Sequence, residues 1–248
     1  MIKKFFCILV SLIIAVPTYA SIVVTGTRFI YSSDNKEISI NIENTGDKIA
    51  LSQVWLTNGF SEKRNDKETT KADVEEVPFI VLPPLFKIKP NNVQTVRVLH
   101  TGEELPKDRE TIFTLNVLDI PPKNKEIENN LQISVLSKFK FFYRPVEIQK
   151  ESATAIDKLE WKIYQRSEGI YLSAKNNSGF YITLDKAKVT IQGKEYDTTS
   201  NFFMMEPFVG TTEVKVDKLN TLPNQPINLE FNYINDSGGS TKSNKIIN

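Results

Sequence analysis

Short stretches of alternating apolar and polar residues, separated by polar turns, run along this chain from residue 22 onward. Ile22 to Ile30 is rich in β-branched residues, and Glu37 to Asn44 places Ile38, Ile40 and Ile42 on one face. Ala50 to Thr57, which contains Trp55, Phe79 to Leu82, Leu85 to Ile88 and Val93 to His100 follow. Thr111 to Leu118 puts Phe113, Leu115 and Val117 on one side. Leu131, Ile133 and Val135 then alternate with Gln132 and Ser134, and the same stretch continues through Lys138, Lys140 and Phe-Phe-Tyr to Arg144-Pro145, where proline halts the ladder. Beyond it, Leu159 to Gln165, Gly169 to Lys175, Tyr181 to Ile191, Thr212 to Val216 and Ile227 to Ile234 repeat the pattern. No long segment has a helical period. Many short strands at this spacing predict an all-β chain of sandwich or barrel type.

The turns between these strands carry Ser32-Ser-Asp-Asn35, Asn44-Thr-Gly-Asp47 and Lys89-Pro-Asn-Asn92. Pro83-Pro84 reads as an edge-strand terminator. Residues 61 to 76 are mostly charged with both signs mixed, which predicts a solvated loop. The tail from Ser237, rich in Gly, Ser and Lys, is expected to fray. A restart of the pattern after Pro145 divides the chain into residues 21–145 and 149–248.

The first twenty residues stand outside this scheme. Lys3 and Lys4 precede an apolar run from Phe5 to Val16, and Thr18-Tyr19-Ala20 supplies small residues where a signal peptidase cuts. The run is too short to span a bilayer, so residues 1–20 are expected to be a secretory signal and the mature chain to start at Ser21. Cys7, the single cysteine, leaves with it, so each domain must stand on its hydrophobic core without disulfides. With 248 residues, 40% hydrophobic and 25% charged, the chain is large enough to bury a normal core.

Charge and chemistry narrow the function by exclusion. The formal net charge is +1, and no basic tract is interleaved with aromatics, so neither nucleic acid nor an anionic membrane has an electrostatic claim on the chain. One histidine and no mature cysteine leave no support for a His-based triad or a clustered metal site, and no nucleotide-binding or hydrolase motif occurs. His100, at a strand end before Thr-Gly, reads as a surface residue. No catalytic residue, metal or cofactor is expected.

Several separated motifs agree in order with one family. These are Thr27-Arg28, Pro83-Pro84-Leu85-Phe86, Leu105-Pro106-Lys107-Asp108-Arg109-Glu110, Ile120-Pro121-Pro122, Tyr143-Arg144-Pro145 and Asn235-Asp236, with Asn176-Asn-Ser-Gly179 and Met205-Glu-Pro-Phe208 in the second half. The chain resembles the periplasmic chaperones of the chaperone–usher pathway, which assemble pili. Only Lys123 to Asn130 separate Ile-Pro-Pro from Leu131, which is similar to the short-loop branch of that family. The charged stretch from 61 to 76 is longer than the family usually has there.

The resemblance implies two immunoglobulin-like β-sandwich domains arranged as an L around a cleft. It implies binding of pilus or fimbrial subunits by donor-strand complementation and delivery to an outer-membrane usher, in the periplasm, without nucleotide. By its motifs, Arg28 and Lys140 would anchor a subunit's C-terminal carboxylate, and Leu131, Ile133 and Val135 would be donor residues. Glu110, Arg144 and Asp236 would form an interdomain charge network. Taken alone, Arg28 and Lys140 read as solvated strand charges, and alternation puts Lys140 on the face opposite the odd-numbered apolar positions. A two-domain pilin or surface adhesin stays as the alternative, and self-association of the free protein through its exposed strand stays open.

Overall fold

A computed structural model describes residues 22–60, 76–120, 133–198 and 203–247. Residues 1–21, where the signal is expected, residues 61–75, Leu131 and the loop that precedes it lie outside the described residues. The strands before Pro145 are β1 (Ile22–Val24), β2 (Arg28–Ser32), β3 (Ile38–Asn44), β4 (Ala50–Asn58), β5 (Phe79–Leu82), β6 (Leu85–Ile88), β7 (Val93–His100), β8 (Thr111–Ile120) and β9 (Val135–Arg144). They form two sheets, ordered β1-β3-β7-β5 and β2-β9-β8-β4-β6. Every pairing is antiparallel except β2 with β9, which is parallel.

The alternation read from sequence becomes a core between these sheets. Ile40, Ile42, Val96 and Val98 face Val54, Phe113, Leu115, Val117 and Phe141 across the interior. Burying side chains of this size contributes about 1.5–3 kcal/mol each before chain entropy is charged.

One apolar stretch is two strands. Ile22 to Ile30 divides into β1 and β2, which belong to different sheets. The break is at Gly26, whose φ of 121° suits a residue without Cβ and lets the chain cross the sandwich. Pro83-Pro84 stands at a similar crossing, between β5 in one sheet and β6 in the other.

After β9 the chain passes through a 3₁₀ segment, Gln149–Lys158, which no periodic pattern announces. The later strands are β10 (Leu159–Arg166), β11 (Gly169–Asn176), β12 (Ile182–Ile191), β13 (Lys194–Asp197), β14 (Met204–Met205), β15 (Thr211–Lys215), β16 (Ile227–Ile234) and β17 (Ser240–Ile247). Sheets β10-β11-β15 and β13-β12-β16-β17, with β14 beside β12, enclose Ile170, Leu172, Leu184, Val189, Leu229 and Phe231.

The expectation of a frayed tail is overturned. Residues from Ser240 form β17, paired along its whole length with β16, and Ile247 is buried. Asn235 to Gly239 is a tight turn instead of the start of a disordered end. Backbone pairing and one buried terminal apolar side chain outweigh the polar composition of the strand.

Candidate functional site

β9 has two different faces and two different edges. Phe139, Phe141 and Tyr143 point with the odd positions into the N-terminal core. Lys140, Phe142 and Arg144 lie on the opposite face, where Phe142 meets Tyr181 of the C-terminal half at 5.7 Å between ring centroids. Along one edge, β8 pairs with β9 from Val135 to Tyr143. Along the other, β2 pairs only from Lys140 to Arg144. Among the described residues no strand covers that second edge from Val135 to Phe139, a span of about 17 Å at strand rise.

Apolar side chains are exposed beside this open edge. Ile133 is 69% exposed, Val135 56% and Leu136 36%. Unpaired backbone next to apolar surface is a template for another strand, and folded proteins normally cover it. The strand begins at Val135, so Ile133 and Ser134 extend beyond the paired segment. Leu131 lies outside the described residues.

The open edge stops at two cations. Arg28, the first residue of β2, is in register with Lys140. Registered residues of parallel strands share a face, and here it is the face turned away from the N-terminal core. The Lys140 ammonium is 5.0 Å from the centre of the Phe60 ring, and the Arg28 guanidinium is 5.0 Å from that of Phe142. Arg28 Nη1 donates to the carbonyls of Ile234 at 3.2 Å and Asn235 at 3.1 Å. Burial lowers the pKa of Arg28, opposed by the charges of Asp236 and Glu110, while the guanidinium stays ionised.

Arg144, at the end of β9, joins the two halves of the molecule. Its Nε donates to Glu110 at 2.7 Å, and its Nη1 and Nη2 donate to the two oxygens of Asp236 at 2.6 and 2.9 Å. The Glu110 carboxylate also accepts the Tyr181 N–H at 2.8 Å, and the Arg144 guanidinium lies over the Phe180 ring. Glu110 and Arg144 are buried, whereas the Asp236 side chain is half exposed. Burial raises the pKa of Glu110 against the pull of Arg144 and the Tyr181 amide. Hydrogen bonds from Arg144 lower that of Asp236. The Tyr181 hydroxyl is pushed up to about 12 by burial and by the charges of Glu206 and Glu110.

Backbones touch directly beside this network. The Glu110 N–H donates to the Gly179 carbonyl at 2.8 Å, and a Cβ on Gly179 would come within 2.6 Å of the Asp108 carbonyl oxygen. Neither Gly179 nor Phe60 stands out by period or charge. Gly179 was visible only as part of Asn176-Asn-Ser-Gly179.

His100 is half-buried. Its ring packs 5.0 Å from Tyr143 and 5.2 Å from Phe79 between centroids, and its Nε2 is buried without a hydrogen bond. The end of β7 carries it into the aromatic cluster behind β9, so burial lowers its pKa. Among the described residues there is no cluster of three or more metal-ligating side chains.

The architecture is two immunoglobulin-like sandwiches, the first with a strand edge left open next to paired cations. Comparison with known families makes the class specific. Residues 21–149 match the pili and flagellar-assembly chaperone PapD N-terminal domain, and residues 154–245 match the pili assembly chaperone PapD C-terminal domain. The chain belongs to this family of pilus-assembly chaperones. It is similar to chaperone protein MrkB of Klebsiella pneumoniae, 37% identical over 191 residues covering 75% of each chain. It is also similar to chaperone protein FimB/FhaD of Bordetella pertussis, 33% identical over 228 residues, 90% of this chain and 86% of that one. The crystal structure of the YadV chaperone superposes with a TM-score of 0.71 at 31% identity, covering 92% of this chain and all (100%) of that one.

Proposed function

We propose that the protein captures pilus subunits in the periplasm by lending them the open edge of β9, and passes them to an outer-membrane usher. The observation that carries this reading is the end of that edge at Arg28 and Lys140. A guest strand pairing with Val135 to Phe139 lies in line with β2. If it runs parallel to β9, as β2 does, its C-terminus arrives at the two cations. A terminal carboxylate there accepts charge-assisted hydrogen bonds in a partly desolvated place, and the anchored end sets the register of the whole strand.

The exposed apolar residues complete the fit. A subunit sandwich that lacks one strand has an open groove, which Leu131, Ile133 and Val135 fill from the donor side. Each side chain fully buried contributes about 1.5–3 kcal/mol, before the cost of association is subtracted. Strand addition uses main-chain hydrogen bonds for affinity and side-chain pockets for specificity. It needs no nucleotide or cofactor, because the subunit's own completed fold supplies the free energy of release. Glu110, Arg144 and Asp236 serve this scheme by holding the C-terminal half against the face of β9 that carries Lys140.

Co-purification of a candidate subunit from the periplasm tests the anchor. Arg28→Ala with Lys140→Ala is expected to weaken capture on the order of a hundredfold, from two lost charge-assisted bonds, with the chaperone still folded. Undiminished capture by the double variant rules out the carboxylate anchor.

A further inference from the structure

The turn Asn235 to Gly239 between β16 and β17 does more than reverse the chain. The Asn235 side-chain carbonyl accepts the N–H groups of Ser237 and Gly239, both at 3.0 Å. Its amide donates to Thr241 Oγ1 at 2.9 Å, and its main-chain carbonyl accepts the Gly238 N–H at 2.9 Å. One side chain therefore ties both limbs of the turn, in the manner of an Asx turn.

The turn so fixed is pressed against the start of β2. Gly238 has a φ of 80°, and a Cβ there would stand 2.1 Å from Thr27 Oγ1 and 3.9 Å from Arg28 Cγ. The two carbonyls that receive Arg28 Nη1 belong to Ile234 and Asn235, at the head of the same turn. Its Nε and Nη2 carry no hydrogen bond to another described residue, while the Phe142 ring backs the guanidinium. The next residue, Asp236, is the one that grips Arg144.

We infer that Asn235 is a positioning residue for the carboxylate anchor: it shapes a turn whose carbonyls hold one arm of Arg28 and aim its remaining donors at the incoming terminus. The inference rests on the reading of Arg28 as the anchor. The physical gain is preorganisation. A guanidinium on a flexible stem loses rotamer freedom when it binds, and carbonyls that fix it beforehand reduce that loss. Gly238 serves the same end by allowing the close approach to Thr27.

The test uses two synthetic peptides with the sequence of a subunit's final strand, one ending in a free carboxylate and one in an amide. The full-length mature chaperone is titrated with each, and the ratio of affinities reports the anchor alone. Wild type is expected to prefer the carboxylate by about tenfold or more. Asn235→Ala is expected to reduce that ratio by about fivefold while binding the amide peptide as wild type does. Asn235→Asp, which retains the acceptor for Ser237 and Gly239, should recover part of it. If Asn235→Ala does not fold, Gly238→Ala carries the same expectation, because it alters the turn's approach to Thr27 and leaves the turn's side chains in place.

A wild-type ratio near one overturns the anchor reading itself, and this inference with it. A wild-type preference that Asn235→Ala, or in its place Gly238→Ala, retains in full overturns the role of the turn and leaves the anchor standing. An equal loss for both peptides marks a structural role only and also overturns it.

Discussion

The two halves of β9 are built from similar residues and meet opposite surroundings. From Lys140 to Tyr143 the strand is paired on both edges, and Phe141 and Phe142 are almost wholly buried. From Val135 to Phe139 it is paired on one edge only among the described residues, with Val135 and Leu136 turned to solvent. Hydrophobicity does not separate the halves. The separation comes from β2, which begins at Arg28 and covers only the second half, and from the C-terminal sandwich, which reaches only the face around Phe142 and Arg144. One half belongs to the fold, and the other is available to a partner.

Substitutions in the closed half should cost the most stability. Phe141→Ala removes a fully buried ring from the N-terminal core and is expected to lower the free energy of unfolding by about 3–5 kcal/mol, read from denaturant midpoints. Arg144→Ala leaves the Glu110 carboxylate buried without its cation, a loss also of about 3–5 kcal/mol. Solution scattering should then show a changed interdomain orientation, and adding Glu110→Gln should recover part of the stability. Unchanged scattering for Arg144→Ala would remove the network from any role in setting that orientation.

The open half and the residues that lead into it should answer differently. Ile133→Glu adds a charge at a solvent-facing position, so stability is expected to stay within about 0.5 kcal/mol while subunit capture is lost. A variant that keeps capture would remove Ile133 from the donor residues.

The smallest effect concerns pH. Asp236 lies below its ordinary value of 3.8 because Arg144 donates to it. A depressed carboxylate stabilises the fold fully above its unfolded pKa and loses that contribution as pH falls through its lower folded value. Glu110 has the opposite sign: burial raises it, so its share of stability declines as pH rises from the unfolded towards the folded value. Asp236→Asn should therefore flatten the loss of stability below about pH 3.8, by less than about 1 kcal/mol because the side chain is half exposed. Melting curves from pH 3 to 6 read it directly, and an unchanged slope would show that Asp236 is not the titrating group.

Much of the fold was legible because alternation and burial share a cause. The bounds of β5, β6 and β7 follow from runs closed by Pro83-Pro84 and Lys89-Pro-Asn-Asn92. Phe113, Leu115 and Val117 share a buried face as their spacing requires, and Lys140 lies opposite the odd positions for the same reason. What alternation does not carry is which sheet a strand joins. The division of β1 from β2 at Gly26 depends on a backbone angle, and β17 exists because β16 offers an edge to a polar sequence.

The candidate site was legible in part. Motifs marked Arg28, Lys140, Glu110, Arg144 and Asp236, but their neighbourhood depends on long-range packing. The register of Arg28 with Lys140 follows from a parallel pairing that local sequence does not specify. Gly179, Phe60 and the turn at Asn235 act through backbone proximity and ring placement, which have no period. The surface reading of His100 holds only in part, because a strand-end position carries no information about the aromatic cluster that covers one side of its ring.

Amide hydrogen exchange across Val135 to Phe139, with and without a bound subunit, tests the loan of this strand most directly. The amides that point away from β8 should exchange rapidly in the free chaperone and become strongly protected in the complex, while those of Phe141 to Tyr143 stay slow in both. A complex that forms and leaves the open-half amides as fast as before would contradict strand addition at β9.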